Sequence, residues 1–288
     1  MKRNWSVAGV FGFLAAIVYF ASMANYVFPG ESAELIAQWK GLDALATPKY
    51  PLMAVFAKLL GGGNAIAPVS GVIAVVCLFL LVEAFAAWRL KDEQSARVKA
   101  SVPAIAAGVA SAVFLITPCV RSAATHLEPR LFDFAWALLV LVLSIPCFGG
   151  LKGGFWAYPV VAGAMVGLGV TDSALFLAFL PFYFVLVVMM AVKHGRKPYV
   201  STFLFALSGV VTLLVAVNVL DVGLMPTLKS VAKELKEYRG TPGWIFVLLF
   251  TTLPFVVAIF SSGKAFTEKP SLVPWLFHGA MSFVVILA

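Results

Sequence analysis

The sequence predicts an all-α integral membrane protein, a polytopic helical bundle with about nine transmembrane helices. Hydrophobic residues make up 62% of its 288 residues, charged residues make up 12%, and the mean hydropathy is +0.99. Many of its apolar runs are long enough to cross a hydrocarbon core, which needs about 20 helical residues. These runs are nearly continuous, whereas the strands of a barrel alternate with period two, so helices are the expected spanning elements.

The lengths of the apolar runs, and the Lys and Arg clusters that end them, place the spans along the chain. The predicted spans are residues 5–28, 65–88, 101–119, 131–148, 157–171, 174–192, 199–221, 244–261 and 272–288. Lys2 and Arg3 before the first run resemble the start of a signal peptide, but the run is too long and more spans follow, so we expect a retained helix. We expect one transmembrane domain over residues 1–288. Because the chain stops at Ala288 inside an apolar run, we also expect a fragment of a longer protein.

The distribution of charge predicts the orientation in the membrane. If the N-terminus lies in the cytoplasm, the whole net charge of +8 falls on the cytoplasmic side and the outer loops are balanced. This pattern favours a multi-pass protein of the inner (plasma) membrane with a cytoplasmic N-terminus. The basic residues of the short inner turns meet anionic lipid head groups, so we expect no nucleic-acid partner.

Two outer segments are predicted to form amphipathic helices that lie flat at the membrane interface. The first, residues 29–64, reads as two short helices broken at Pro48 and Pro51. The second covers residues 223–243, with a helix at about 226–239. The predicted apolar faces are Leu35, Ile36, Trp39, Leu42 and Leu45 in the first helix, Leu52, Val55, Phe56, Leu59 and Leu60 in the second, and Leu228, Val231, Leu235 and Tyr238 in the third.

Four acidic residues fall at the outer ends of predicted spans, namely Glu31, Glu34, Glu128 and Asp172. Ionisable groups at membrane depth are costly and mark a water-filled cavity or a functional site by default. The alternatives are structural: Glu31 and Glu34 would favour a helix dipole, and Asp172 would cap the following helix.

Two further features concern the interior of the bundle. Gly163 and Gly167 are four residues apart in a span, a spacing that predicts close packing against a neighbouring helix. Glu83 lies within the second span, where it would either reach the interface beside Arg89 or mark a transport path. It motivates an alternative function, a transporter or flippase of lipid-linked or small polar substrates. A non-catalytic membrane scaffold is a third alternative.

Several motifs resemble a known family. Glu31-Ser-Ala-Glu34, followed by Pro48-Lys-Tyr-Pro-Leu52, resembles the first outer loop of the GT-C membrane glycosyltransferases, specifically the protein O-mannosyltransferase-like family with its bacterial members. Ser122-Ala-Ala-Thr-His-Leu-Glu128 is similar to that family's turn ending in Glu, and Gly167-Leu-Gly-Val-Thr-Asp-Ser173 to its Gly-Leu-x-x-Thr-Asn-His turn. The resemblance covers roughly residues 5–190, and Lys49 stands where the family has Gly.

The resemblance implies transfer of a sugar from a polyprenyl-phosphate donor to a hydroxyl of a protein or glycan acceptor on the outer face. Glu31, or else Glu34, would act as general base for the acceptor hydroxyl. A cation would stabilise the leaving phosphate. Glu31 and Asp172 offer oxygen ligands that suit Mg²⁺ or Mn²⁺, although no ligand spacing identifies a metal. The predicted substrate-binding residues are Arg121 and Arg130, then Lys236 and Arg239 for the phosphate, together with Tyr50, His126, Glu128 and Asp172.

Overall fold

A computed structural model of the chain describes residues 4–23, 31–39, 49–61, 63–90, 95–148, 157–178, 180–193 and 197–238. This part of the chain is helical and contains no strand, which confirms the all-α class for it. The chain divides into two compact units, Met1–Ile145 and Pro146–Ala288. The predicted spans 244–261 and 272–288 lie outside the described residues.

The first unit is built around one long helix. Its helices are α1 (Trp5–Ala21), α2 (Glu31–Trp39), α3 (Pro51–Leu59), α4 (Ile66–Arg89), α5 (Ala96–Ile116), α6 (Pro118–Thr125) and most of α7 (Pro129–Phe148). α4 packs against α1, α5 and α6. Tyr19 of α1 is fully buried, and its hydroxyl donates a hydrogen bond to the carbonyl oxygen of Leu115 at 3.3 Å. The core of this unit therefore lies along α4.

The second unit is held together by a close helix pair. Its helices are α8 (Ala157–Gly169), α9 (Leu175–Ala178), α10 (Leu180–Lys193), α11 (Pro198–Val219) and α12 (Leu224–Tyr238). Gly163 of α8 lies against the backbone of Phe205 in α11, and Gly167 lies against Gly209. No side chain fits between these backbones, so the predicted close packing at Gly163 and Gly167 is confirmed.

Two described helices are long and apolar enough to cross a membrane, residues 66–87 and 198–219. The helices Ser101–Ile116 and Pro118–Thr125 meet at an angle of 63° around Thr117, and they form a third candidate span if they are counted as one bent helix. The described residues thus contain two to three candidate spans, fewer than the nine that the sequence predicts. Large apolar side chains cover the outside of α11, including Phe203 and Val219, as expected for a surface that faces lipid.

Both short helices of the segment 29–64 are present as α2 and α3, but only α2 buries its predicted face. Leu35, Ile36 and Trp39 are buried, while Leu42 and Leu45 lie outside the described residues.

The predicted face of α3 is only partly right: Leu52 is buried as predicted, but Leu59 is 77% exposed and Val55 and Leu60 are also exposed. Met53, Ala54 and Ala57 are buried in place of these three residues. It contacts α4, and the ring of Phe56 stands 5.8 Å from Phe132 and 5.7 Å from Trp136 of α7. The position of α4 and α7, rather than the hydrophobicity of α3, decides which side is covered.

The amphipathic helix of the segment 223–243 is also present, as α12. Val231 is buried as predicted, whereas Leu228 is 41% exposed and Thr227 is buried in its place. The side chains of Leu235 and Tyr238 lie outside the described residues. Thr227 can be buried at low cost because its hydroxyl donates to the carbonyl oxygen of Gly223 at 2.8 Å, which satisfies this polar group.

Candidate functional site

The acidic motif lies at the start of α2, beside the turn that ends α6. The hydroxyl of Ser32 donates a hydrogen bond to the carbonyl oxygen of Leu127 at 2.9 Å, across 95 residues of sequence. Glu31 precedes Ser32 and Glu128 follows Leu127, so each acid is the chain neighbour of one partner in this bond. Glu128 is half-buried, while the side chain of Glu31 lies outside the described residues. The bond therefore joins two of the segments that the sequence assigned to one site.

A third segment, Lys49–Tyr50, is fastened to α2 by two contacts. The ammonium of Lys49 lies 2.9 Å from the carboxylate of Glu34, and both side chains are about half exposed, at 50% and 53%. The backbone N–H of Lys49 donates to the side-chain oxygen of Gln38 at 3.2 Å, one helical turn further along. The two halves of the outer-loop motif thus lie against each other.

Two donors at the end of α2 are buried without an acceptor. In the part of the chain that the structure describes, the amide nitrogen of Gln38 and the indole nitrogen of Trp39 have no hydrogen-bond partner. A buried N–H without an acceptor costs about 1–3 kcal/mol. This end of α2 therefore favours an acceptor that the described residues do not supply.

Tyr50 has a strained backbone. Its φ is 51° and its ψ is 61°, the left-handed conformation, although it is not glycine. That conformation costs a residue with a side chain roughly 1–2 kcal/mol. Pro51 follows and starts α3, and a proline disfavours the right-handed helical conformation in the residue before it. Local strain of this kind is typical of functional sites.

His126 ends α6 and is held by the last turn of that helix. Its Nδ1 lies 2.8 Å from the carbonyl oxygen of Ser122, so an Nδ1–H donates there, and it lies 3.3 Å from the hydroxyl of Thr125. Arg121 on α6 and Arg130 in the first turn of α7 flank the same turn, and both are exposed.

Asp172 belongs to the second unit, in the turn after α8. Its backbone N–H donates to the carbonyl oxygen of Gly169 at 3.0 Å, and its carboxylate accepts from the hydroxyl of Thr171 at 3.4 Å. The hydroxyl of Ser173 accepts from the backbone N–H of Leu175, the first residue of α9, at 3.1 Å.

Glu234 of α12 binds this turn and was not among the predicted site residues. Its carboxylate accepts from the hydroxyl of Ser173 at 3.0 Å and from the backbone N–H of Ala174 at 2.7 Å. The apolar pattern of α12 did not indicate it, because that pattern favoured the face of Leu228 and Leu235. Glu234 lies at helical spacing from Thr227 and Val231, which only the structure shows to be buried.

Glu83 is 4% exposed and has a partner at the start of the chain. Asn4 donates to its carboxylate from the side-chain nitrogen at 2.8 Å and from the backbone N–H at 3.4 Å. The side chain of Arg89, which the sequence offered as a partner, lies outside the described residues. This contact joins the residue that precedes α1 to α4.

The structure brings together part of the predicted site. In the first unit α2, which carries Glu34, contacts both the segment that carries Tyr50 and the segment that carries Glu128, and Asp172 lies in the second unit. The side chain of Lys236 and all of Arg239 lie outside the described residues. Among the residues described, no group of at least three His, Cys, Asp and Glu side chains could hold a metal ion.

Comparison with models of known protein families, with curated proteins and with solved structures finds no significant match to this chain. Function is therefore inferred from the residues and their geometry.

Proposed function

We propose that this protein is a membrane glycosyltransferase of the GT-C type, which transfers a sugar from a polyprenyl-phosphate donor to an acceptor hydroxyl at the outer face of the membrane. The observation that supports it is that α2 contacts two other segments: Lys49–Tyr50, through Glu34, and the turn Leu127–Glu128, which Ser32 reaches across 95 residues of sequence. These are the segments whose motifs resemble that enzyme family. Their contact places acids, cations and a strained tyrosine in one region.

The chemistry needs a base and a cation. As the new glycosidic bond forms, a carboxylate accepts the proton of the acceptor hydroxyl, and the lipid phosphate departs with the electrons of the broken bond. Glu31 is the proposed base and Glu34 the second candidate. Exposed Arg121 and Arg130 are the proposed contacts of the phosphate, and half-buried Glu128 and His126 are proposed to bind the acceptor.

The proposed architecture is a polytopic bundle of about nine spans in the plasma membrane, with the N-terminus in the cytoplasm. Its support is the exposed apolar surface of the long helices, such as Phe13 on α1, Ile105 on α5 and Phe203 on α11. Such side chains are costly in water and are typical of surfaces that face lipid.

Transport is the less supported alternative. It was motivated by Glu83, and the structure gives this acid a hydrogen-bonding partner in Asn4. A buried acid that is held between two helices needs no transported ion to explain it.

Turnover of a radiolabelled polyprenyl-phosphate sugar by the protein in liposomes tests the proposal. We expect wild type to release polyprenyl phosphate, and the Gln variant of the base, Glu31→Gln or Glu34→Gln, to be slower by about 10²–10⁴. Asp221→Asn is the matched control, because Asp221 is exposed in the second unit and Asn also adopts its left-handed backbone. Undiminished turnover in both Gln variants would remove the catalytic assignment. Movement of the labelled lipid across the bilayer without release of polyprenyl phosphate would favour a flippase.

A further inference from the structure

The ion pair between Glu34 and Lys49 lies in the candidate site and has no role in the chemistry above. The two charged groups are 2.9 Å apart and about half exposed. Lys49 is also bound through its backbone to Gln38, so its ammonium is presented from a segment attached to α2. A cation at a fixed place, open to solvent and next to a proposed base, is suited to receive an anionic ligand.

The pair is weak enough to be exchanged. An exposed ion pair of this kind favours the paired state by at most about fivefold. The phosphodiester of a polyprenyl-phosphate sugar carries one negative charge, as a carboxylate does, and its oxygens form strong charge-assisted hydrogen bonds with an ammonium. The phosphate of a lipid bound at this place would therefore compete with Glu34 for Lys49, because the ion pair that it replaces is weak.

We propose that Lys49 binds the phosphate of an isoprenoid lipid and exchanges Glu34 for it, so that donor binding uncovers the Glu34 carboxylate. The inference rests on the proposed function, whose donor it locates. One ion pair replaces another in this step, and no covalent bond changes. Without a donor, Glu34 stays paired with Lys49; with a donor, its carboxylate faces the acceptor side of the site as a base or a hydrogen-bond acceptor.

The exchange is tested by measuring how tightly a ten-carbon prenyl monophosphate binds to the full chain. The protein is held in nanodiscs of zwitterionic lipid, and the affinity is measured by titration calorimetry. Lys49→Met should weaken binding by about tenfold or more, because a charge-assisted hydrogen bond is lost. Glu34→Gln should tighten binding by about two- to fivefold, because the internal competitor is removed. The double variant should bind like Lys49→Met, since without the lysine there is nothing for Glu34 to mask.

The controls separate this mechanism from a structural role. Lys49→Arg keeps the charge and should restore most of the affinity. Lys58→Met removes another exposed lysine, on α3, and should bind like wild type. A merely structural pair would make Glu34→Gln and Lys49→Met change affinity in the same direction.

The source of the phosphate is tested with two competitors. Inorganic phosphate and phosphatidylglycerol should displace the prenyl monophosphate only weakly. Equal displacement by either one would overturn the assignment to an isoprenoid lipid.

The outcome is separable from that of the proposed function. Unchanged affinity in Lys49→Met, or unchanged or weaker affinity in Glu34→Gln, overturns the exchange even if the wild type transfers sugar. Weaker binding by Lys49→Met together with tighter binding by Glu34→Gln upholds the exchange even if no sugar is transferred. Thermal unfolding of each variant, monitored by far-UV circular dichroism, shows that the variants are folded before binding is compared.

Discussion

Replacing Gly167 by alanine probes the close contact between α8 and α11. A Cβ at this position would lie 3.0 Å from the carbonyl carbon and 3.1 Å from the Cα of Gly209, and closer still to its carbonyl oxygen. Carbon atoms in good contact are about 3.5–4.0 Å apart, so the helices would have to separate by about 0.5 Å or more. Overpacking of this kind costs about 1–3 kcal/mol, and the better helix propensity of alanine returns about 1 kcal/mol. We expect a net loss of up to about 2 kcal/mol in the free energy of unfolding.

The assay is reversible unfolding in mixed micelles with increasing dodecyl sulfate, monitored by far-UV circular dichroism. Gly9→Ala is the matched control, because Gly9 is also a helical glycine, in α1, and a Cβ there meets nothing within 4 Å. The control should be unchanged or more stable by up to about 1 kcal/mol. If Gly167→Ala is as stable as Gly9→Ala, the packing of α8 against α11 is not as close as described, and the reasoning is refuted.

Three other substitutions test the hydrogen bonds that join distant segments, with the same unfolding assay. Asn4→Ala leaves the carboxylate of Glu83 buried without its donor and should lower the free energy of unfolding by about 1.5–3 kcal/mol; wild-type stability would contradict the role given to this contact. Ser32→Ala removes the hydrogen bond to Leu127 and should cost about 0.5–1.5 kcal/mol, with faster amide hydrogen exchange in α2; protection equal to wild type would count against the link. Glu234→Ala removes two hydrogen bonds and should lower the free energy of unfolding by about 1–3 kcal/mol. Glu234→Gln keeps an oxygen that can accept a hydrogen bond and should lower it by less. Equal losses in the two variants would show that the hydrogen bonds to Ser173 and Ala174 do not stabilise the protein.

The helices were the predictable part of the fold. Apolar length and Pro or Gly punctuation predicted α4, α11 and both short helices of the segment 29–64. The spacing of Gly163 and Gly167 predicted a close contact because only small residues let helix backbones approach. The pattern did not name the partner, α11, since any helix with a small residue at the crossing would serve.

The buried faces were less predictable when the helices were short. In α3 the hydrophobic residues lie on several sides, and contacts with α4 and α7 decide that Met53 is buried and Leu59 exposed. In α12 the sequence pattern favoured Leu228, whereas the structure buries Thr227, which satisfies its own hydroxyl within the helix. Hydrophobicity alone does not show which face of a short helix meets the neighbouring helices.

The sequence by itself determined that this protein is made of apolar helices, and it located the acids and cations at the ends of the predicted spans. Tertiary structure alone decided which charged and polar groups meet: Ser32 with Leu127, Lys49 with Glu34, Asn4 with Glu83, and Ser173 with Glu234. The physical reason is that a helix follows from local periodicity and from the need to satisfy backbone groups in lipid. The partner of a polar side chain depends instead on how helices pack, which joins residues far apart in the chain.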